Sequence, residues 1–204
     1  MARPKAFDEK QVLDAAIDCF WRNGLKSSSI RDLADEMGIA GPSLYNAYGC
    51  KRTLFVQALE RYAEERTRAR IARLERDLPP KQAILAFLRE TIEHALAAPD
   101  GRGCLLVNTA MEAPPDDHEL ATLIWRYFGE IQSFFERSLI AAQAAGEISQ
   151  ERNASETARL LLAVILGLRV LARTQPKREL LEGAVGPVLA LLGMPSTSTK
   201  EVLR

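Results

Sequence analysis

The sequence is short of the residues that most chemistry needs. It has two histidines, His94 and His118, and three cysteines, Cys19, Cys50 and Cys104, in 204 residues. An odd, widely spaced set of cysteines makes no disulfide framework, and without a CxxC pair or an HExxH run a zinc site lacks ligands. No Gly-rich loop of the GxGxxG or GxxxxGKS type is present to cradle phosphates, and no serine sits in a GxSxG frame. No metal, cofactor or enzymatic activity is therefore expected. No apolar run approaches the ~20 residues that span a bilayer. The opening MARPKAFDEK is polar and has no apolar signal core, so the expected location is cytoplasmic. Lys and Arg total 27 against 27 Asp and Glu. With no overall field, any polyanionic partner must be met by a local positive face.

What is present is helical periodicity along almost the whole chain, which predicts an all-α protein. Asp8 can cap a first helix whose Val12, Leu13, Ala16, Ile17 and Phe20 recur at three- and four-residue spacing, and Gly24 should stop it. Ser29 with Asp32 fits a capping box opening a second helix. Gly38 ends that helix, and Pro42 sits where a first helical turn tolerates a missing N–H. A very short third helix runs to about Ala47, and a fourth is expected from Lys51 to Asp77. Longer helices are predicted over 81–98, 104–112, 117–145, 154–174 and 178–192. The expected organisation is a unit of three short helices over 1–50, a connecting helix over 51–78, a larger helical bundle over 79–194 and a flexible tail over 195–204.

The stretch GIAGPSLYNAYGCKRTLF, residues 38–55, raises a question of purpose. A helix meant to fill a core would hide its aromatic residues. Two short helices joined by a Gly-containing turn make a helix-turn-helix, in which the second helix reads DNA. Leu44 would face inward, leaving Gly41, Pro42, Ser43, Tyr45 and Asn46 outside for phosphates and base edges. Lys51, at the start of the next helix, would favour a phosphate oxygen. Ser28, Ser29 and Arg31 begin the helix that would cross the backbone, and Arg3 and Lys5 form a short basic arm.

The order and spacing of Ala15-Ala16, Phe20, Gly24, Ser28-Ser29-Ile30, Leu33-Ala34, Met37-Gly38-Ile39, Leu44-Tyr45, Tyr48-Gly49, Lys51 and Leu54-Phe55 resemble the TetR family of bacterial repressors. The resemblance implies a three-helix DNA-binding domain followed by a divergent helical domain that binds a small ligand and forms a homodimer. It also implies that Tyr45, Tyr48 and Lys51 hold the phosphate backbone of a double-stranded operator. The family often has an aromatic residue where this chain has Ala47, a basic one for Gly41, and Ser or Asp for Cys50. Few side chains are then left for bidentate base contacts, so DNA shape and Arg3, Lys5 and Arg31 would supply part of the specificity.

Gly103-Cys104-Leu105-Leu106-Val107-Asn108 is similar to a G-C-L-L-x-N segment of one subgroup. Phe87, Thr91, His94, Asn108, Met111, Trp125, Phe128 and Phe135 have the mixed character of a ligand pocket; the same residues would also fill a bundle core. Cys104, at a helix start beside Arg102, is a candidate reactive thiolate, or else a small buried apolar side chain. The effector is thus expected to be hydrophobic or thiol-reactive. The helix over 154–174 is apolar over most of its circumference, as is the last helix. Leu161, Val164, Ile165, Leu168, Leu181, Val185, Val188 and Leu189 are the expected dimer contacts, with Ala163 and Gly167 allowing close approach. The predicted function is a homodimeric regulator, a repressor by preference, released by a small effector or thiol modification. The alternative is a helical small-molecule-binding protein or enzyme whose N-terminal helices are a scaffold or protein-interaction module.

Overall fold

The computed structural model describes residues 8–97 and 101–193; Arg3, Lys5 and the tail 195–204 lie outside them. All regular structure among the described residues is helical.

The first helix, α1 (Glu9–Ser27), is capped by Asp8, whose carboxylate accepts from the Lys10 amide. It is broken at Gly24, which has φ 77° and ψ 169°, a region essentially reserved for glycine. Helix α2 (Ile30–Met37) begins with the expected capping box: Ser29 accepts from the Asp32 amide and Asp32 from that of Ser29. Gly38 at φ 64° ends it, and α3 (Gly41–Tyr48) follows with Pro42 in its first turn. Leu33, Leu44, Phe20 and Phe55 are fully buried, and the Phe20 and Phe55 rings meet edge to face at 4.9 Å.

Helix α4 (Lys51–Ala63), a π-helical turn (Glu64–Arg68) and α5 (Ala69–Asp77) run on from one another. The sequence predicts one regular helix here. In the structure the Ala69 amide reaches back five residues to Glu64, a bulge of the kind that often marks functional sites. Next come α6 (Pro80–Ala97), α7 (Leu105–Glu112), α8 (His118–Ala144), α9 (Ala154–Thr174) and α10 (Arg178–Leu191). Each boundary falls within a residue or two of the pattern reading, because Asp117 and Asn153 cap α8 and α9 as their types dictate.

Buried apolar residues form one continuous cluster from Val12 to Leu192. The N-terminal helices therefore share a core with the rest: α1 packs on α4 and α7. A partly buried ion pair reinforces the junction. Arg52 holds Asp117 through two bonds, 2.6 and 2.8 Å, while the same carboxylate caps α8. The Arg52 guanidinium, then the Leu120 amide, hold the Asp117 carboxyl below the usual carboxylate range. A carboxyl depressed in the folded state stabilises fully above its unfolded pKa and loses that contribution as pH falls through the folded one. Resistance to urea should decline below about pH 4, and Asp117→Asn should flatten the decline. An unchanged profile would show that other carboxylates carry it.

Candidate functional site

Helix α3 is positioned by two side chains on one face. Leu44 is fully buried and Tyr48 is 3% exposed. The opposite face carries Pro42, Ser43, Tyr45 and Asn46, all exposed, with Tyr45 at 50% and Gly41 half-buried at the helix start. Ala40, at the cap position, supplies no side-chain hydrogen bond. The result is a short polar ridge held from behind by a dry core, a shape that can enter a groove.

Three expected DNA contacts are placed differently. The Tyr48 ring belongs to the core, because it stands four residues from Leu44 and so shares its face; burial raises its phenol above the ordinary value. Ser28 is 1% exposed and its hydroxyl donates to the Gly24 carbonyl at 2.7 Å. Lys51 directs its ammonium to the Ser28 and Lys26 carbonyls, at 2.9 and 3.4 Å. A cation at the carbonyl end of α1 is favourable, so Lys51 works here as a staple between α4 and the α1–α2 turn. Ser29 is exposed but spends its hydroxyl on the α2 cap. Arg31 is almost wholly exposed, loosely paired with Asp35 at 3.8 Å. Cys50 caps α4 by accepting from the Thr53 amide, and its thiol is exposed; the Thr53 hydroxyl leads in lowering its pKa.

A second site lies in the larger part of the molecule. An outer cavity of about 250 Å³ is lined by Trp21, Tyr62, Arg66, Arg70, His94, Ala97, Arg102, Gly103 and Arg169. Tyr62, Arg66, Arg70 and Arg169 also line a narrower inner pocket of about 30 Å³, with Phe87, Cys104, Leu106, Phe128, Ile131 and Ile165 at its apolar end. Of the sequence candidates, Phe87, His94, Cys104 and Phe128 are brought together here. Thr91 is one layer behind, bonded to Arg70 at 3.3 Å. Phe135 is core, packed against Phe87 and Phe134. Asn108 braces a loop, donating to the Arg102 carbonyl at 2.8 Å. Met111 and Trp125 stand on the surface, 54% and 66% exposed, and line neither cavity.

The cavity's cations are the residues the pattern reading missed. Tyr62, Arg66 and Arg70 recur at four-residue spacing, one face of a helix. Arg169 is a lone charge inside the run LLLAVILGLR, which was the legible signal. Burial, then the charge of Arg169, pushes Arg70 down to about 10, against the pull of Glu90. Burial and the charges of Arg70 and Arg169 likewise lower His94. Tyr62 is buried and raised well above the tyrosine range, chiefly by desolvation; its hydroxyl donates to the Cys104 sulfur at 3.7 Å. Arg102, expected to activate Cys104, pairs instead with Asp18 at 3.0 Å and lies over Trp21 at 5.2 Å.

The loop before α7 connects the two sites. The Arg102 carbonyl accepts from Trp21 Nε1 at 3.1 Å and from Asn108. Trp21 belongs to α1, so the cavity touches the helix that carries the N-terminal unit. Gly103 adopts φ 68°, and a Cβ there would meet Asn108 Oδ1 at 3.4 Å and the Arg169 carbonyl at 3.5 Å, which fits the glycine of the G-C-L-L-x-N segment.

The faces of α9 and α10 correct the dimer reading. Leu161, Ile165, Leu168, Leu181, Val185, Val188 and Leu189 are buried within the chain itself, and Val164 is half-buried. The opposite stripes hold Leu160, Ala163, Gly167 and Val170 on α9, and Leu180, Gly183, Ala184 and Pro187 on α10, all exposed. Both helices are apolar over most of their circumference, and one chain covers only one side of each.

Among the described residues no group of His, Cys, Asp and Glu could hold a metal ion, and no helix is long and apolar enough to cross a membrane. The family model described as bacterial regulatory proteins, tetR family, matches residues 12–58. That described as tetracyclin repressor-like, C-terminal domain, matches residues 80–186. The chain is 34% identical to the uncharacterized HTH-type transcriptional regulator YezE of Bacillus subtilis (strain 168), over 94% of this chain and 100% of that one. It is 28% identical to the HTH-type transcriptional repressor ComR of Escherichia coli (strain K12), over 93% and 90%. Among solved structures, a cysteine mutant of the TetR family regulator CifR, complexed with 26 bp operator DNA, superposes with a TM-score of 0.80 at 30% identity, covering 94% of this chain and 98% of that one.

Proposed function

Because the chain belongs to the TetR family of transcriptional regulators, we propose that it represses transcription as a homodimer on a pseudo-palindromic operator and is released by a small effector. The observation that carries this reading is the outward face of α3, where Pro42, Ser43, Tyr45 and Asn46 stand exposed on a helix anchored by Leu44 and Tyr48. Two such helices, one per chain, would enter successive major grooves about 34–36 Å apart. The relatives support repression and operator binding: ComR is a repressor, and CifR was solved on operator DNA.

The exposed apolar stripes of α9 and α10 fit a two-fold four-helix interface. Effector bound in the outer cavity would bear on Trp21 and the Arg102 loop that line it, shifting α1 and the spacing of the reading helices. Release follows only if the effector prefers the shifted state. Cys104 faces the same cavity, so a thiol-reactive effector would enter by the same route.

The test is binding to DNA flanking the protein's own gene, read by fluorescence anisotropy across a salt series. Affinity should fall linearly with salt on a logarithmic scale. Tyr45→Ala removes one hydrogen bond to a charged phosphate per chain and should weaken operator binding by roughly 10-fold or more. Its helical content and melting should stay close to the parent's, since Tyr45 lies outside the buried core. Normal binding by this variant would mean that α3 does not lie in the groove.

A further inference from the structure

The cavity between α1, the π-turn, α6 and α9 holds more positive charge than the protein uses. Glu90 pairs with Arg70 and Arg73, at 2.8 and 2.7 Å. Asp18 pairs with Arg102. Among the described residues Arg66 and Arg169 have no hydrogen-bond or ion-pair partner, although both line the outer and the inner spaces. Arg169 is half-buried at the end of the apolar run of α9, between Leu168 and Val170, where an unpaired charge is costly. Arg70 itself is locked: it lies over the Phe87 ring at 3.9 Å and bonds the Phe87 carbonyl and Thr91. It cannot turn to serve its neighbours, and it adds a fixed positive field. Arg66, in the π-turn, and Arg70, in α5, reach the same opening. The inner end, at Phe87, Phe128 and Ile165, is apolar.

We propose that this cavity binds a small organic anion, its carboxylate or equivalent group held between Arg66 and Arg169 and its apolar body pointing toward Phe87 and Phe128. The inference rests on reading the larger domain as effector-binding and names the chemical class of that effector. A neutral hydrophobe would leave the half-buried Arg169 without a partner. A carboxylate accepts charge-assisted, bidentate bonds from arginine. The size of the space, at the low end for ligand pockets, favours one ring or a short chain over a long acyl group. Trp21 lines the outer space, so the anion sits where it would disturb the bond from Trp21 to the Arg102 carbonyl.

The test uses the full-length protein carrying Trp125→Phe, so that Trp21 is its sole tryptophan. Benzoate, phenylacetate and hexanoate, each beside its uncharged amide, are titrated against Trp21 fluorescence up to about 10 mM. At least one carboxylate should saturate, with its amide ~10-fold weaker or silent. Arg169→Met should lose ~10-fold or more of that affinity, and Arg169→Lys should restore part of it. Arg169 has no partner to lose, so the parent's melting curve serves as the folding control. Equal binding of acid and amide, undiminished binding by Arg169→Met, or no saturation by any carboxylate would each overturn the proposal. Operator binding is measured separately without ligand. Its presence beside failed anion binding would sink only the ligand class, and its absence would sink the regulator reading.

Discussion

Replacing Phe20 with alanine should lower the free energy of unfolding by about 3–5 kcal/mol, the largest single-residue stability loss anticipated here. Phe20 is 1% exposed and sits edge to face on Phe55. It is the side chain through which α1 grips α4, and it shares the buried cluster with Ala16, Leu33 and Leu44. Three short helices have little apolar surface of their own, so removing the ring leaves a cavity that α2 and α3 cannot close. A domain is typically stable by only 5–15 kcal/mol, and the helix-turn-helix would be the first part to open. Urea denaturation followed by circular dichroism measures the stability loss, and operator affinity should fall with it. Phe20→Leu, which keeps most of the volume, should cost less than about 1.5 kcal/mol. Equal losses for leucine and alanine would show that the ring is not what holds the unit.

Gly167→Glu should separate the protomers. Gly167 lies in the middle of the exposed apolar stripe of α9, and a Cβ added there meets nothing within 4 Å beyond its own stretch of helix. In a two-fold interface two such charges would be buried together with no partner. Breaking the balance of buried charge costs about 3 kcal/mol or more, so the dimer dissociation constant should rise at least ~100-fold. The fold of the single chain should survive, because glutamate is a better helix former than glycine. Sedimentation velocity reads the mass. Operator affinity should collapse as well, since two linked reading helices bind far more tightly than either alone. A dimer that persists unchanged would place the interface elsewhere.

Much of the fold was legible because helix boundaries are set locally. Asp8, Ser29, Asp117 and Asn153 cap helices wherever they stand, and Gly24 and Gly38 adopt conformations that other residues avoid. The outward face of α3 was legible for a similar reason: Leu44 marks the inner side, and its neighbours must point away. Tyr48, Ser28 and Lys51 carry polar groups suited to phosphate, yet Tyr48 shares the buried face of Leu44 on α3, Ser28 bonds the Gly24 carbonyl at the end of its own helix, and Lys51 finds its partners on another helix, at the end of α1. The dimer residues were assigned from helices apolar over most of their circumference, and nothing along one helix says which side its own chain will cover.

Residue types and their order along the chain therefore settle what local physics settles: helix positions, caps, the turn between α2 and α3, and the family to which the chain belongs. Which cations meet is another matter. Arg66 in the π-turn, Arg70 on α5 and Arg169 on α9, about a hundred residues later in the sequence, surround one cavity because the core packs α9 against α8 and α6. That bulge is itself a packing outcome, since the sequence there reads as ordinary helix. Charge in a cavity depends on distances through space, and those are created by burial of the whole hydrophobic cluster at once.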